Sequence, residues 1–198
     1  MSIQDYAKLI FTNESIIVDK TKELDDRLVS ISTNIFENPL QRKGRSFKQV
    51  YEAQKKTVIE DALVKLSVGF VHNPLEWDYK VPHSHAYDIV HSDQCKTFEI
   101  KRWPPDQPNG DLAKWFSYPR DAFKNFIKHN NIIDYIISGK MIEHEHSYEI
   151  GFHMIADAKT FMNYVKESIY KKDQLVYYHR NAADDGMCIM NYNVNYRR

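Results

Sequence analysis

Neither sign of charge is in excess in this chain: 27 Lys and Arg residues balance 27 Asp and Glu. No global field points to nucleic acid, so any basic surface must arise from local segregation. Cysteine is nearly absent. Cys95 and Cys188 stand far apart, make no disulfide framework and suit a reducing cytoplasm. No segment reaches the roughly 18 apolar residues of a membrane span, so no membrane partner is expected. The opening stretch MSIQDYAKLIFTNES lacks a signal-peptide pattern. Repeats and low-complexity linkers are missing too, and residues 1–198 read as one domain, large enough for a core. Many Tyr, Asn, Ile and Lys residues point to an AT-rich source such as a phage. The expected location is therefore the cytoplasm of a bacterium or of a phage-infected host.

What is present centres on AYDIVHSDQCKTFEIKRW, residues 86–103. Residues 86–91 and 96–101 are aromatic and β-branched, as in two strands, and flank a polar turn centred on Asp93-Gln94. A two-residue turn or a four-residue loop there sets Asp88 opposite Glu99, and opposed residues share a face. Lys101, two residues along, joins them. Like charges directly opposite are destabilising, so this pattern predicts a positive group held between them. A divalent cation meets that need. Mg²⁺ takes carboxylates, phosphate and water, and a lysine beside it can hold a water or offset charge on a phosphoryl group.

Asp88…Glu99-Ile100-Lys101 resembles the signature of the PD-(D/E)XK nuclease superfamily, with its restriction-endonuclease-like fold. Tyr87 stands where that signature has proline, a residue that carries no chemistry. The resemblance extends back through Lys56-Thr57-Val58-Ile59-Glu60-Asp61-Ala62-Leu63-Val64-Lys65-Leu66 and Gly69-Phe70. This part is similar to the opening helix and strand of such nucleases, archaeal Holliday-junction resolvases among them. It implies a further acid on that helix, matched by Glu60, with Glu52 and Asp61 as rivals. It implies a metal site of Asp88, Glu99, the Ile100 carbonyl and Glu60, catalysis by the same acids with Lys101, Mg²⁺ as cofactor with Mn²⁺ substituting, and DNA as substrate. The implied fold class is α/β, a restriction-endonuclease-like core whose central mixed sheet is flanked by helices. The catalytic core would span about 46–138, after a helical extension over about 1–45 and before a C-terminal elaboration over 139–198.

Along the chain, a short helix is expected over residues 3–12. A longer one over about 14–37 carries Ile17, Leu24, Leu28, Ile31 and Ile35 on one stripe and stops at Asn38-Pro39. Spare apolar surface on it and on the C-terminus suggests a homodimer, because two symmetric sites most simply cut both strands of a duplex. Arg42, Lys43, Arg45 and Lys48 crowd one glycine-containing stretch, read either as a solvated loop or as an arm touching phosphate. Ser46 caps a helix running to about Leu66, and residues 67–71 enter a first strand. His83 and His85 would border the site, while Arg102 and Trp103 could meet a phosphate and a base. Lys114 precedes, and Arg120 belongs to, a helix with Ala122, Phe123, Phe126 and Ile127 inward. Residues 131–138 read as a buried strand, completing a helix–strand–strand–strand–helix–strand order. Residues 148–155, 159–170 and 175–179 read as strand, helix and strand, and residues 181–198 as a mobile, Tyr-rich end.

The histidines supply a competing site. His83-Ser84-His85 and His91, with His144-Glu145-His146 and His153, offer His-x-His pairs of the kind that grip zinc or iron in a hydrolase or oxygenase. Surface histidines without a metal are the plainer reading, since the pairs lie about sixty residues apart and no third ligand has characteristic spacing. A non-catalytic nucleic-acid-binding module on the same fold is a third reading.

Overall fold

The computed structural model describes residues 1–66, 69–73, 87–103, 115–119, 133–167, 174–178, 186 and 188–197. They form a mixed α/β arrangement. Helix α1 (Ile3–Ile10) begins with a capping box in which Ser2 and Asp5 bond each other's backbone N–H. The longer helix expected from residue 14 starts later. Ile16-Ile17-Val18 are β-branched and pair as strand β1 (Ile16–Asp19) against a later strand. Helix α2 (Lys22–Glu37) then opens on Thr21, whose hydroxyl accepts from Leu24 N–H. It ends at Asn38, as expected, and Asn38 caps the short α3 (Pro39–Arg42).

Ser46 caps the next helix with Gln49 completing a capping box, but the element expected to run to Leu66 is two helices, α4 (Phe47–Gln54) and α5 (Lys56–Leu66). Lys55 stands at the break, buried, with its ammonium on Glu143 at 2.7 Å and Glu52 at 2.8 Å. That tertiary clasp is invisible in a local pattern.

The main sheet is built from β2 (Phe70–His72), β3 (Ile89–His91), β4 (Lys96–Arg102), β6 (Tyr135–Glu143) and β7 (Ser147–Asp157). With β1 its order is β1-β7-β6-β4-β3-β2, and β10 (Cys188–Met190) also pairs with β7. Only the β4–β6 pair is parallel among the described strands, with Ile100 beside Ile137 and Lys101 beside Ser138. A second sheet joins β5 (Trp115–Pro119), β9 (Gln174–Tyr178) and β8 (Val165–Glu167). The helix expected on Ala122, Phe123, Phe126 and Ile127 lies outside the described residues. The one expected over 159–170 is cut to α6 (Ala158–Phe161) and a 3₁₀ turn (Met162–Tyr164), after which the chain enters β8. The C-terminal end expected to be mobile is held, among its described residues, at two points. Asn191 N–H donates to His153 O, and the Tyr196 ring stacks on His153.

Alternation along β4 sends Phe98 and Ile100 to one face and Glu99 and Lys101 to the other. The first face meets α1 and α5 in a core that includes Tyr6, Ile10, Val58, Ile59, Leu63 and Ile137. The second face carries a smaller core of Trp103, Ile136, Met154, Ala156 and Phe161. A bulge where Ser138 and Gly139 oppose Met154 and Phe152 leaves His153 as the extra residue. Gly139 faces α5, and a Cβ there would lie 2.7 Å from Ile59 Cγ2.

Two outcomes follow from this packing. Gly139→Ala should cost about 1–3 kcal/mol by overpacking, read as a lower urea midpoint, because Ile59 is itself fully buried. Tyr6, ringed by Phe70, His91, Phe98 and Tyr135, has a buried hydroxyl with no partner among the described residues, and burial pushes its phenol up to about 12. Tyr6→Phe should therefore leave stability unchanged or raise it by ~1 kcal/mol in the same titration.

Candidate active site

The β3–β4 hairpin forms with a four-residue turn, and its pairs Ile89–Phe98, Val90–Thr97 and His91–Lys96 give the expected register. The paired register stops at Ile89–Phe98, one residue short of Asp88. Asp88 lies just before β3, where the ladder of backbone bonds runs out. Its N–H donates to Phe98 O at 3.0 Å. Its Oδ2 accepts from Ile100 N–H at 2.8 Å, taking the place that a further β3 residue would fill. Within a strand the N–H and C=O of one residue face the same edge, so the Ile100 carbonyl also turns toward Asp88.

Asp88 is 3% exposed and Glu60 fully buried, and an ionised carboxylate in such surroundings needs partners. Lys56 supplies them. This first residue of α5 donates from Nζ to Asp88 Oδ1 at 2.6 Å and lies 3.4 Å from Glu60 Oε1. Sequence reasoning missed Lys56. The available signal was Lys56…Glu60 at i,i+4 on a helix, a spacing that puts both on one side. The rival acids are engaged elsewhere: Asp61 pairs with Arg27 and with His72 at 3.0 Å, and Glu52 pairs with Lys55. On the opposite face of β4, the Lys101 ammonium pairs with Glu99.

The two acids of the hairpin titrate in opposite directions. Burial would raise Asp88, but Lys56 and Lys101, together with the Lys56 and Ile100 hydrogen bonds, hold it below the usual carboxylate range. Glu99 is pushed up by burial and by the neighbouring Asp88 charge, despite Lys101 and Lys56. The repulsion expected from the sequence shows in the upward direction of Glu99, with the Asp88 charge among its causes.

All of the candidate donors are oxygens, a set that fits a hard cation such as Mg²⁺ better than a soft metal. Among the described residues, however, no group of three His, Cys, Asp or Glu side chains is gathered as a metal cluster. Each acid holds a lysine instead.

Of the other candidates, His83, His85, Lys114 and Arg120 lie outside the described residues. Trp103 is 2% exposed and packs near His153, so it is a core side chain rather than a platform for a base. Arg102 is exposed at the end of β4. The Arg45 guanidinium donates to the carbonyls of Gln41 and Arg42, closing the end of α3. Arg42 lies over the Phe36 ring, and Lys43 and Lys48 are exposed. The described histidines do not converge. His91 is buried among rings, His144 pairs with Glu149 at 2.8 Å, and His146 is exposed beside Glu145. His153 uses both ring nitrogens, on Asn191 O and Tyr196 Oη.

A cleft of about 460 Å³ lined by Lys20, Asp25, Tyr51, Lys55, Glu143 and Tyr148 lies away from this hairpin. Its polar groups are engaged with one another, with Glu143 on Lys20 at 2.9 Å and Asp25 accepting from Tyr51 at 2.7 Å. It clasps the β6–β7 turn to α2 and α4.

No family model, curated protein or solved structure matches the chain.

The opposed shifts set a pH test. Asp88, lowered from 3.8, contributes stability that is present above that value and lost as pH falls through its folded pKa. Glu99, raised from 4.5, does the reverse: the folded state holds its proton more tightly, so ionising it costs stability as pH rises above 4.5. Glu99→Gln should therefore raise the urea midpoint at pH 7, and the gain should disappear once pH falls below 4.5. Lys56→Met should lower stability by about 3 kcal/mol at pH 7 by leaving Asp88 charged and unpaired.

Proposed function

We propose that this chain is a divalent-metal-dependent endonuclease of restriction-endonuclease-like fold that hydrolyses phosphodiester bonds in DNA. The observation that carries this reading is the buried Asp88 carboxylate at the end of β3, held by the Ile100 N–H and near enough to Glu99 for its charge to raise that acid. It is supported by helix α5, the antiparallel strands β2, β3 and β4, and the parallel partner β6, which match four strands and one helix of the implied order; its second helix falls outside the described residues, and β5 stands between β4 and β6.

Asp88, Glu99 and the Ile100 carbonyl would hold Mg²⁺, with Glu60 behind them acting through water. The ion, when bound, supplies positive charge to the phosphate under attack. The chain's own residues do the rest. Lys101 orients the attacking water and offsets charge on the phosphoryl oxygens. Lys56 keeps Asp88 ionised, so the acid can accept a cation without first losing a proton. Arg102, exposed one residue beyond Lys101, can reach a phosphate beside the cut. Lys43 and Lys48 offer further charge to the backbone.

The test is incubation with supercoiled, linear and branched DNA in Mg²⁺, then with EDTA. Cleavage should require Mg²⁺ or Mn²⁺ and vanish in Asp88→Asn and Glu99→Gln while both remain folded by circular dichroism. Lys101→Met should keep cation binding by calorimetry yet lose roughly a hundredfold or more in single-turnover cleavage. Full cleavage by either acid variant, with the metal-free control clean, would remove the assignment. Replacing His144 and His146 together by Ala should leave the rate within a few-fold, because a hard ion prefers oxygen.

A further inference from the structure

Ser138 is the one hydroxyl on the Glu99–Lys101 face of β6 within the pairing of β4 and β6. The parallel register sets it beside Lys101, just as Ile136 sits beside Glu99, and neighbours of this kind have Cβ atoms about 5 Å apart. Its surroundings are apolar, since Ile136 and Met154 belong to the core on that face. Ser138 is fully buried, and among the described residues its Oγ has no hydrogen-bond partner. A buried hydroxyl left unsatisfied carries its full desolvation cost. An alanine would pack here without it.

Lys101 gives that hydroxyl a use. Its ammonium is engaged by Glu99, the same carboxylate that the nuclease reading assigns to a cation. When Glu99 turns to a cation, it draws away from Lys101, and the register sets the Ser138 hydroxyl beside that lysine. We propose that Ser138 is a positioning residue: its hydroxyl accepts the Lys101 ammonium when Glu99 binds a divalent cation. The inference rests on the nuclease reading of the site, and it deepens that reading by naming what makes the exchange possible. Two states of one lysine result, one on the carboxylate and one on the serine. The second holds Lys101 at the sheet surface beside the cation.

Calorimetric Mn²⁺ titration of four proteins tests this: wild type, Ser138→Ala, Lys101→Met and the double variant. Ser138→Ala should weaken Mn²⁺ binding about tenfold, as for other residues that orient a ligand from behind. Its melting temperature should equal or exceed that of wild type, which separates the effect from unfolding. In the Lys101→Met background the same substitution should change nothing, because Glu99 is already released; a packing defect would weaken binding equally in both backgrounds. Should Ser138→Ala fail to fold, Ser138→Cys, close in volume and a poor acceptor, takes its place with the same expectation. Wild-type affinity in the serine variant, or equal weakening without Lys101, would overturn the proposal and leave the nuclease reading standing. Absence of Mn²⁺ binding by the wild type would remove both.

Discussion

The carboxylate of Asp88 is the contact on which the site depends. One oxygen takes a backbone N–H from β4, and the other takes the ammonium of Lys56 at the head of α5. A single buried side chain therefore ties the end of one strand, the middle of the next and the start of a helix. Burial alone would protonate it, as desolvation disfavours the charged form. Two lysines and two hydrogen bonds outweigh that penalty, and the group stays ionised. Glu99 has the weaker position and bears the cost of the neighbouring charge. A pair of acids so divided suits a site that must be negative before anything binds, yet stable when nothing has.

The packing around this contact explains why it is held so closely. Helix α5 lays Val58, Ile59, Ala62 and Leu63 against the sheet, and the missing side chain at Gly139 lets Ile59 approach β6. That approach brings Lys56 and Glu60 to the end of β3. On the far face of the sheet, Glu99 and Lys101 border a core containing Trp103 and Ile136. The bulge at His153 is capped by the returning C-terminal residues, which bond both of its ring nitrogens. A histidine fully engaged in this way closes the fold and is not available as a ligand.

The sheet pairing also explains why the candidate residues of β4 stand where they do. It is the strand with an antiparallel neighbour on one side and a parallel one on the other. Its even-numbered residues turn backbone groups toward β3 and its odd-numbered ones toward β6, as the bonds of Phe98, Ile100 and Thr97 show. Because β3 stops at Ile89, the Ile100 peptide is left facing a side chain rather than a ladder.

Much of the hairpin was legible in the residues themselves. Alternation, β-branching and a polar turn of even length determine a register with a period of two, and the register so read holds over Ile89–Phe98, Val90–Thr97 and His91–Lys96. Caps at Ser46 and Asn38 were legible for the same reason, since a short side chain bonding its own backbone is a local event. Local pattern failed where distant partners decided. Ile16-Ile17-Val18 is a strand because β7 lies beside it, and the helix through residue 55 breaks where Lys55 meets Glu143. Trp103 and the C-terminal residues were drawn inward by cores assembled from segments far away in sequence. By itself the sequence determined how β3 pairs with β4, because two strands joined by a tight turn need no third element to be placed. Only the tertiary structure decided which cations answer Asp88 and Glu99. Lys56 lies thirty-two positions from Asp88, and no local periodicity reaches across a sheet to a helix.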